Sequence, residues 1–361
     1  MNVSIELLEI YYIKIGSTWY TDNIATFLIT PIGFIAMCLN FISLIVFQRI
    51  NNQTNLIKYF RVYTFLSFVA CLIGMFYFIT SVRYFNFVNT YWISFYTCIV
   101  CQYLITIDFY ANILNCLILL ERISHFKEKL KKFSDYNPYI ICLIAFLICN
   151  LINLPYIFYY PPREDKEYQD AMADFNLSSS NFTYCGRNQF LQTIPGQIIL
   201  FIVILIRDFV TLLLEFGISI ASIMYFKGYV KKKRSLLILT NQLNLRNNSS
   251  CNYESQRYSL SINDFRLNES ENFNSKLTKM TIYLALCSLL LHLTVTLSYI
   301  ISFSLFDNNS LMSNYLSILS LLVASVKYIS YFLFYYNFLR SFRYYFKMYI
   351  CCEDIFKHLD I

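Results

Sequence analysis

The chain has 361 residues, of which 57% are hydrophobic, 19% aromatic and only 14% charged, with a formal net charge of +7. Soluble domains average roughly 45–50% apolar and about 25% charged residues, so a water-soluble globule is disfavoured. Seven Gly and six Pro leave too little punctuation for a sheet-rich, collagen-like or Pro/Gly-rich disordered chain, and long helices are the expected element.

A bilayer core about 30 Å thick takes roughly 20 helical residues. Seven apolar stretches of that length, bounded by charge, are predicted as spans: residues 24–48, 59–82, 96–120, 139–160, 197–226, 280–305 and 313–337. The expected fold is therefore an all-α membrane protein, a seven-transmembrane helix bundle. Residues 1–23 contain Glu6, Glu9 and Asp22 and lack a basic start followed by a short apolar run and a cleavage site. No removable signal peptide is expected, and the first span serves as the insertion signal.

Positive charges are retained on the cytoplasmic face of a membrane. Segments 49–58, 121–138, 227–279 and 338–361 carry 21 Lys and Arg, whereas residues 1–23 and the alternate loops carry 5. The amino terminus is thus predicted outside the plasma membrane and the tail 338–361 in the cytosol. The global charge of +7 follows from this asymmetry and from juxtamembrane attraction to anionic lipid, and nucleic acid is not expected as a partner.

Within the cytosolic loop 227–279, residues 235–275 are rich in Asn and Ser and are expected to be largely disordered and open to phosphorylation. The outer loop 161–196 is acidic at first (Glu164, Asp165, Glu167, Asp170, Asp174). It then carries the glycosylation triplets at Asn176 and Asn181; Asn2 and Asn308 are further outward acceptors.

In the third span Cys101, Asp108, Asn112, Asn115 and Arg122 recur at steps of seven, four, three and seven, which places them on one helix face. A polar stripe in lipid must look inward. Six formal charges fall at span level, Arg61, Asp108, Arg207, Asp208, Glu215 and Lys327, and their sum of zero suits mutual pairing. Arg61 is expected to snorkel to the cytosolic edge. Asp108, Asp208, His292 and Lys327 lie about 11 to 14 residues from the outer span ends. They share a layer and are candidate pocket residues, read as a polar floor beneath an outward-facing cavity. Asp108 and Lys327 are the favoured ion pair, either as ligand contacts or as a register lock between the third and seventh spans.

Cys38, Cys71, Cys116, Cys142, Cys149 and Cys287 lie inside spans as apolar fillers. On the oxidising face Cys98, Cys101 and Cys185 can form a bridge; Cys98 with Cys185 is preferred, and Cys101 is the alternative. His125, His292 and His358 sit on separate segments, without metal-ligand spacing. No phosphate loop, nucleophile elbow or water-exposed carboxylate pair is present, so neither an enzyme nor a metal or other cofactor is expected.

Leu119-Leu120-Glu121-Arg122-Ile123 at the cytosolic end of the third span, Asn40 in the first, Pro155 in the fourth, and Phe342-Arg-Tyr-Tyr-Phe346 followed by Cys351-Cys352 together resemble the rhodopsin-like G-protein-coupled receptor family. The resemblance runs over all seven spans. It implies that Glu121 restrains Arg122, that Arg122 serves coupling, that Tyr335 stands where the family has the tyrosine of its Asn-Pro-x-x-Tyr, and that Cys98 and Cys185 match the family's bridge. It also implies a short amphipathic eighth helix on the membrane surface, with Arg340, Arg343 and Lys347 on its polar side and Cys351 and Cys352 palmitoylated. Leu104, Asp108 and His292 fall at levels where family members contact ligand. Departures from the pattern are concrete: Tyr331 and Phe332 replace the family's Asn and Pro, Cys287-Ser-Leu-Leu290 replaces Cys-Trp-x-Pro, and no Pro follows Pro195. Proline kinks are therefore not expected, and straight helices are predicted in the outer halves of the last three spans.

The leading expectation is a cell-surface receptor that converts binding of an extracellular ligand into activation of a heterotrimeric G protein. The ligand is a peptide or small molecule, and the acidic outer face favours a basic or amidated peptide. The alternative is a multi-pass channel or transporter using Asp108, Asp208, Glu215 and Lys327 along an ion path. Epitope tags on the two ends of the full chain are expected to label on opposite faces of intact cells; labelling on one face contradicts an odd number of crossings.

Overall fold

Hydrocarbon offers no partner to a backbone N–H or C=O, so a chain this apolar satisfies its peptide groups internally by forming helices. The computed structural model describes residues 27–50, 54–81, 99–157, 162–164, 183–185, 190, 193–247, 276–298, 301 and 311–350. Their order is α1 (Phe27–Arg49), α2 (Asn55–Ser81), α3 (Cys101–Phe126), a 3₁₀ turn (Glu128–Leu130), α4 (Lys131–Asp135), α5 (Pro138–Ile157), β1 (Pro162–Glu164), β2 (Thr183–Cys185), α6 (Ile194–Ile204), a π turn (Leu205–Val210), α7 (Thr211–Asn247), α8 (Lys276–Ser298), α9 (Leu311–Phe338) and α10 (Arg340–Ile350). Among the described residues six helical stretches are long and apolar enough to cross a membrane: those of α1, α2, α3, α5, α6 continued through the π turn into α7, and α8.

The surface supports the same conclusion. On α5, Ile140, Leu143, Ile144, Leu147, Ile148, Leu151 and Leu154 are all exposed, at the three- and four-residue spacing of a single helix face. Contiguous apolar surface of this kind is foreign to a soluble monomer and fits contact with lipid tails. The protein is a membrane-embedded helical protein.

α3 is the hub. Its apolar window is 61% buried, against 17% for the stretch that joins α6 to α7, and it packs on α2, α5 and α7. Polar side chains knit it to α5: Tyr103 donates to Asn150 Oδ1 at 2.5 Å, Tyr110 donates to the carbonyl of Cys142 at 2.9 Å, and Asn153 donates to Thr106 Oγ1. Removed from water, such bonds have few competing partners. Asn137 starts α5, its Oδ1 accepting from the Tyr139 amide at 3.0 Å, with Pro138 in the first position where a missing N–H costs nothing.

Several sequence expectations change here. α3 runs to Phe126 and not Leu120, which brings Glu121 and Arg122 inside the helix. α7 continues to Asn247, well past the predicted span end at Phe226 and into the first part of the segment 235–275, whose remainder lies outside the described residues. No Pro occurs in that stretch and no Gly after Gly228, while Leu236 to Leu239 and the flanking Lys and Arg are good helix formers. The fifth span is not uniformly α-helical either. Without any proline, Leu205–Val210 forms a π turn in which Thr211 Oγ1 donates to the carbonyl of Ile206 at 3.0 Å. The acidic segment 161–196 contributes an antiparallel ribbon, with Arg163 opposite Tyr184 and Pro162 opposite Cys185.

Arg61 of α2 reaches across to the end of α1. Its Nε donates to the carbonyl of Phe47 at 3.0 Å and its Nη2 to that of Ile50 at 3.1 Å, which caps the end of α1 from α2. Each charge-assisted bond is worth about 1.5–3 kcal/mol. Arg61→Ala is therefore expected to lower the melting temperature of the detergent-purified protein, and Arg61→Lys, able to keep one bond, to lower it less; equal melting of all three contradicts the cap.

Candidate functional site

The inward face of α3 meets α9 in an ionic contact. Lys327 Nζ donates to Asp108 Oδ1 at 2.9 Å and to Asn112 Oδ1 at 2.5 Å. Lys327 is only 3% exposed, whereas the Asp108 side chain keeps 30% of its surface open. One turn along α3, Asn115 donates through Nδ2 to Ser288 Oγ on α8 at 2.6 Å and accepts through Oδ1 from the hydroxyl of Tyr331 on α9. Asp108, Asn112 and Asn115 thus bind α8 and α9 to α3 along one stripe, and Tyr331 in turn stacks on Tyr63 of α2 with ring centroids 3.9 Å apart. Asn115, Tyr331, Thr281, Leu284 and Ala285 line a small cavity on this stripe.

A second pair lies between α7 and α8. His292 Nδ1 and Glu215 Oε2 are 3.2 Å apart, both almost fully buried, and Glu215 Oε1 has no hydrogen-bond partner. His292 and Arg207 are also within electrostatic reach of Asp108.

The predicted polar floor is therefore divided. Asp108 and Lys327 come together as expected, but His292 pairs with Glu215, a residue the sequence marked only as an intramembrane charge. Asp208 turns back onto its neighbour Arg207, whose Nε and Nη2 donate to the two carboxylate oxygens at 2.8 and 2.7 Å. The π turn holds this couple, with Arg207 buried. Leu104 packs, half-buried, against the main apolar core.

At the other end of α3, Glu121 is 1% and Arg122 3% exposed. Glu121 Oε1 accepts from Ser134 Oγ of α4 at 3.1 Å and has His125 Nε2 at 3.6 Å. Ser134 also shares a 2.6 Å hydroxyl contact with Ser124, and its carbonyl accepts from Asn55 Nδ2 of α2 at 2.6 Å. Lys127, just beyond, donates to Tyr225 of α7 at 2.8 Å. Asn55, the first residue of α2, and Ser134 of the short α4 escaped the sequence reading because both fall between the predicted spans, where no periodic signal marks them.

Tyr335 is fully buried in an aromatic cluster, edge-on to Phe47 at 4.8 Å and tilted on Phe60 and Phe342 at 5.2 and 5.7 Å. Thr64 Oγ1 lies 3.5 Å from its hydroxyl. The same cluster holds α10, because Phe342 and Phe346 pack on Phe332. Asn40, the residue singled out in the first span, donates to the carbonyl of Ala36 at 2.8 Å and reaches that of Tyr328 on α9 at 3.4 Å.

The proposed glycosylation sites Asn2, Asn176, Asn181 and Asn308, the cysteines Cys351 and Cys352, and Cys98 all lie outside the described residues; Cys185 is placed only by its backbone in β2. Among the described residues no cluster of His, Cys, Asp or Glu can hold a metal. No protein-family model matches the chain, and no curated protein matches it.

Breaking a buried pair by altering one partner typically costs about 3–5 kcal/mol, because the other charge is left uncompensated, while an apolar pair of similar volume is often neutral. Asp108→Lys is expected to lose most folded protein. The swap Asp108→Lys/Lys327→Asp, and also Asp108→Leu/Lys327→Met, are expected to recover much of it, measured as monodisperse protein in detergent. Equal losses in all three contradict the pair.

Proposed function

We propose that the chain is a cell-surface receptor of the rhodopsin-like G-protein-coupled kind. In this reading α1, α2, α3, α5, α6 continued into α7, α8 and α9 are its seven transmembrane helices, and α10 is an eighth helix lying on the inner membrane surface. The amino terminus faces outward and the tail faces the cytosol, following the Lys and Arg asymmetry. Arg340 and Arg343 are exposed while Phe342 is buried, the division an interfacial helix needs.

The reading rests on one observation above all: a carboxylate and a guanidinium, Glu121 and Arg122, both almost wholly buried at the end of the most enclosed helix. Adjacent buried charges are costly as structural elements. They suit a two-state device in which Arg122 is withheld in one arrangement and offered in the other. Ligand binding on the outer side then acts by favouring the second arrangement. The stripe Asp108, Asn112, Asn115 supplies a physical connection, because it ties α8 and α9 to the helix that carries Arg122. Asp108, the most open member of the polar layer, is the residue best placed to meet a cationic group on the ligand, in keeping with a basic peptide.

Arg122→Ala is expected to abolish G-protein activation while cell-surface expression persists. In membranes from expressing cells, Glu121→Gln, which weakens the contacts Glu121 makes with Ser134 and His125, is expected to raise basal guanine-nucleotide exchange; a shift of about 1.4 kcal/mol changes a two-state ratio about tenfold. The double variant should return to the background of untransfected membranes. Undiminished exchange in Arg122→Ala overturns the proposal.

A further inference from the structure

The segment between α3 and α5 is built as a small detachable arm. It is joined at both ends by extended residues, Lys127 (φ −124°, ψ 110°) and Tyr136 (φ −77°, ψ 148°), and contains only the 3₁₀ turn and the five-residue α4. None of the α4 residues is buried. Lys127 holds the start of the arm to Tyr225 of α7, and Ser134 holds its far end: the Ser134 carbonyl accepts from Asn55, and the Ser134 hydroxyl touches Glu121 Oε1 and Ser124 Oγ. Short helices with few apolar contacts open locally at low cost. Lys131 and Lys132, both exposed, stand three and two residues before Ser134, and Lys129 stands five before it.

We propose that Ser134 is a phosphorylation site for a serine kinase that reads basic residues on the amino-terminal side of its target, and that the phosphate releases the arm. This rests on the receptor reading only for the side of the membrane, since ATP and such kinases are cytosolic. In the transfer the Ser134 Oγ attacks the γ-phosphorus of ATP. The bond to the ADP oxygen breaks, ADP leaves, and the hydroxyl proton passes to the kinase's base. The product carries close to two negative charges where a hydroxyl lay 3.1 Å from the Glu121 carboxylate. That contact cannot survive, because a donor has become a like charge. The phosphate instead has a cation within its own neighbourhood, the exposed Lys131 one turn back. Glu121 thereby loses its tie to α4, and α2 loses its hold on the arm through Asn55.

The test uses the full chain in detergent micelles carrying Ser235→Ala, which removes a second serine that follows basic residues. It is incubated with a basophilic serine kinase and ATP, and phosphopeptides and amide hydrogen exchange are read by mass spectrometry. Phosphate on Ser134 is expected, absent in Ser134→Ala and reduced about tenfold in Lys131→Ala/Lys132→Ala, the effect of losing charge-assisted contacts to the kinase. Exchange over residues 121–126 and 131–135 is expected to rise on phosphorylation, and to rise less in Glu121→Gln, where the repulsion is weaker. Failure to modify Ser134, or modification that leaves exchange in both segments unchanged, overturns the proposal. Kinase added to sealed vesicles separates this from the receptor reading. Labelling of inside-out vesicles alone supports both. Labelling of right-side-out vesicles alone, with the micelle result intact, overturns the orientation and with it the cellular role of Ser134.

Discussion

An ammonium group cannot remain in the interior of a lipid-embedded bundle without acceptors, and Lys327 has two, Asp108 Oδ1 and Asn112 Oδ1, both presented by α3. This contact fixes the rotation and depth of α9 against α3, because sliding either helix by a turn would leave a charge in hydrocarbon. From that register the next contact follows. Tyr331 lies four residues after Lys327, one helical turn on, and arrives at Asn115, three residues after Asn112. Asn115 then also holds Ser288 of α8.

Lipid tails give apolar helices no reason to prefer one another over solvent, so polar contacts and close packing carry much of the specificity in such a protein. α3 shows this in the number of its partners. It is bonded to α5 through Tyr103, Thr106 and Tyr110, to α8 and α9 through its stripe, and to α4 through Glu121. The apolar side chains of α5 face outward and contribute embedding, whereas the polar ones face inward and decide which helix sits next to which. Aromatic packing does the corresponding work where α1, α2, α9 and α10 converge on Tyr335.

The last three predicted spans hold no proline, yet they need not be uniform. The π turn at Leu205–Val210 widens the path of the chain and accommodates the Arg207–Asp208 couple. Irregularity of this kind gives the fifth predicted span a place to change shape without the proline that a kink commonly uses. Together with the arm pinned by Ser134, it leaves two sites of low local regularity beside a tightly registered centre, an arrangement compatible with the two-state behaviour proposed for the protein.

Apolarity, helical period and charge are properties of short stretches of chain, and whatever depends on them was legible in the sequence: membrane embedding, helices near the predicted positions, the single face shared by Asp108, Asn112, Asn115 and Arg122, and the match of Asp108 with Lys327 by depth and sign. What lay beyond reach depends on the rotation of one helix against another. The sequence placed His292 with Asp108 in one layer, but only packing decided that its partner is Glu215, 77 residues away. It expected Arg61 to snorkel to the cytosolic edge, and the fold gave it two carbonyl acceptors at the end of α1. Ser134 carried no periodic signal at all, and its contact with Glu121 exists because the chain turns back at Lys127 into an arm whose path no local pattern encodes.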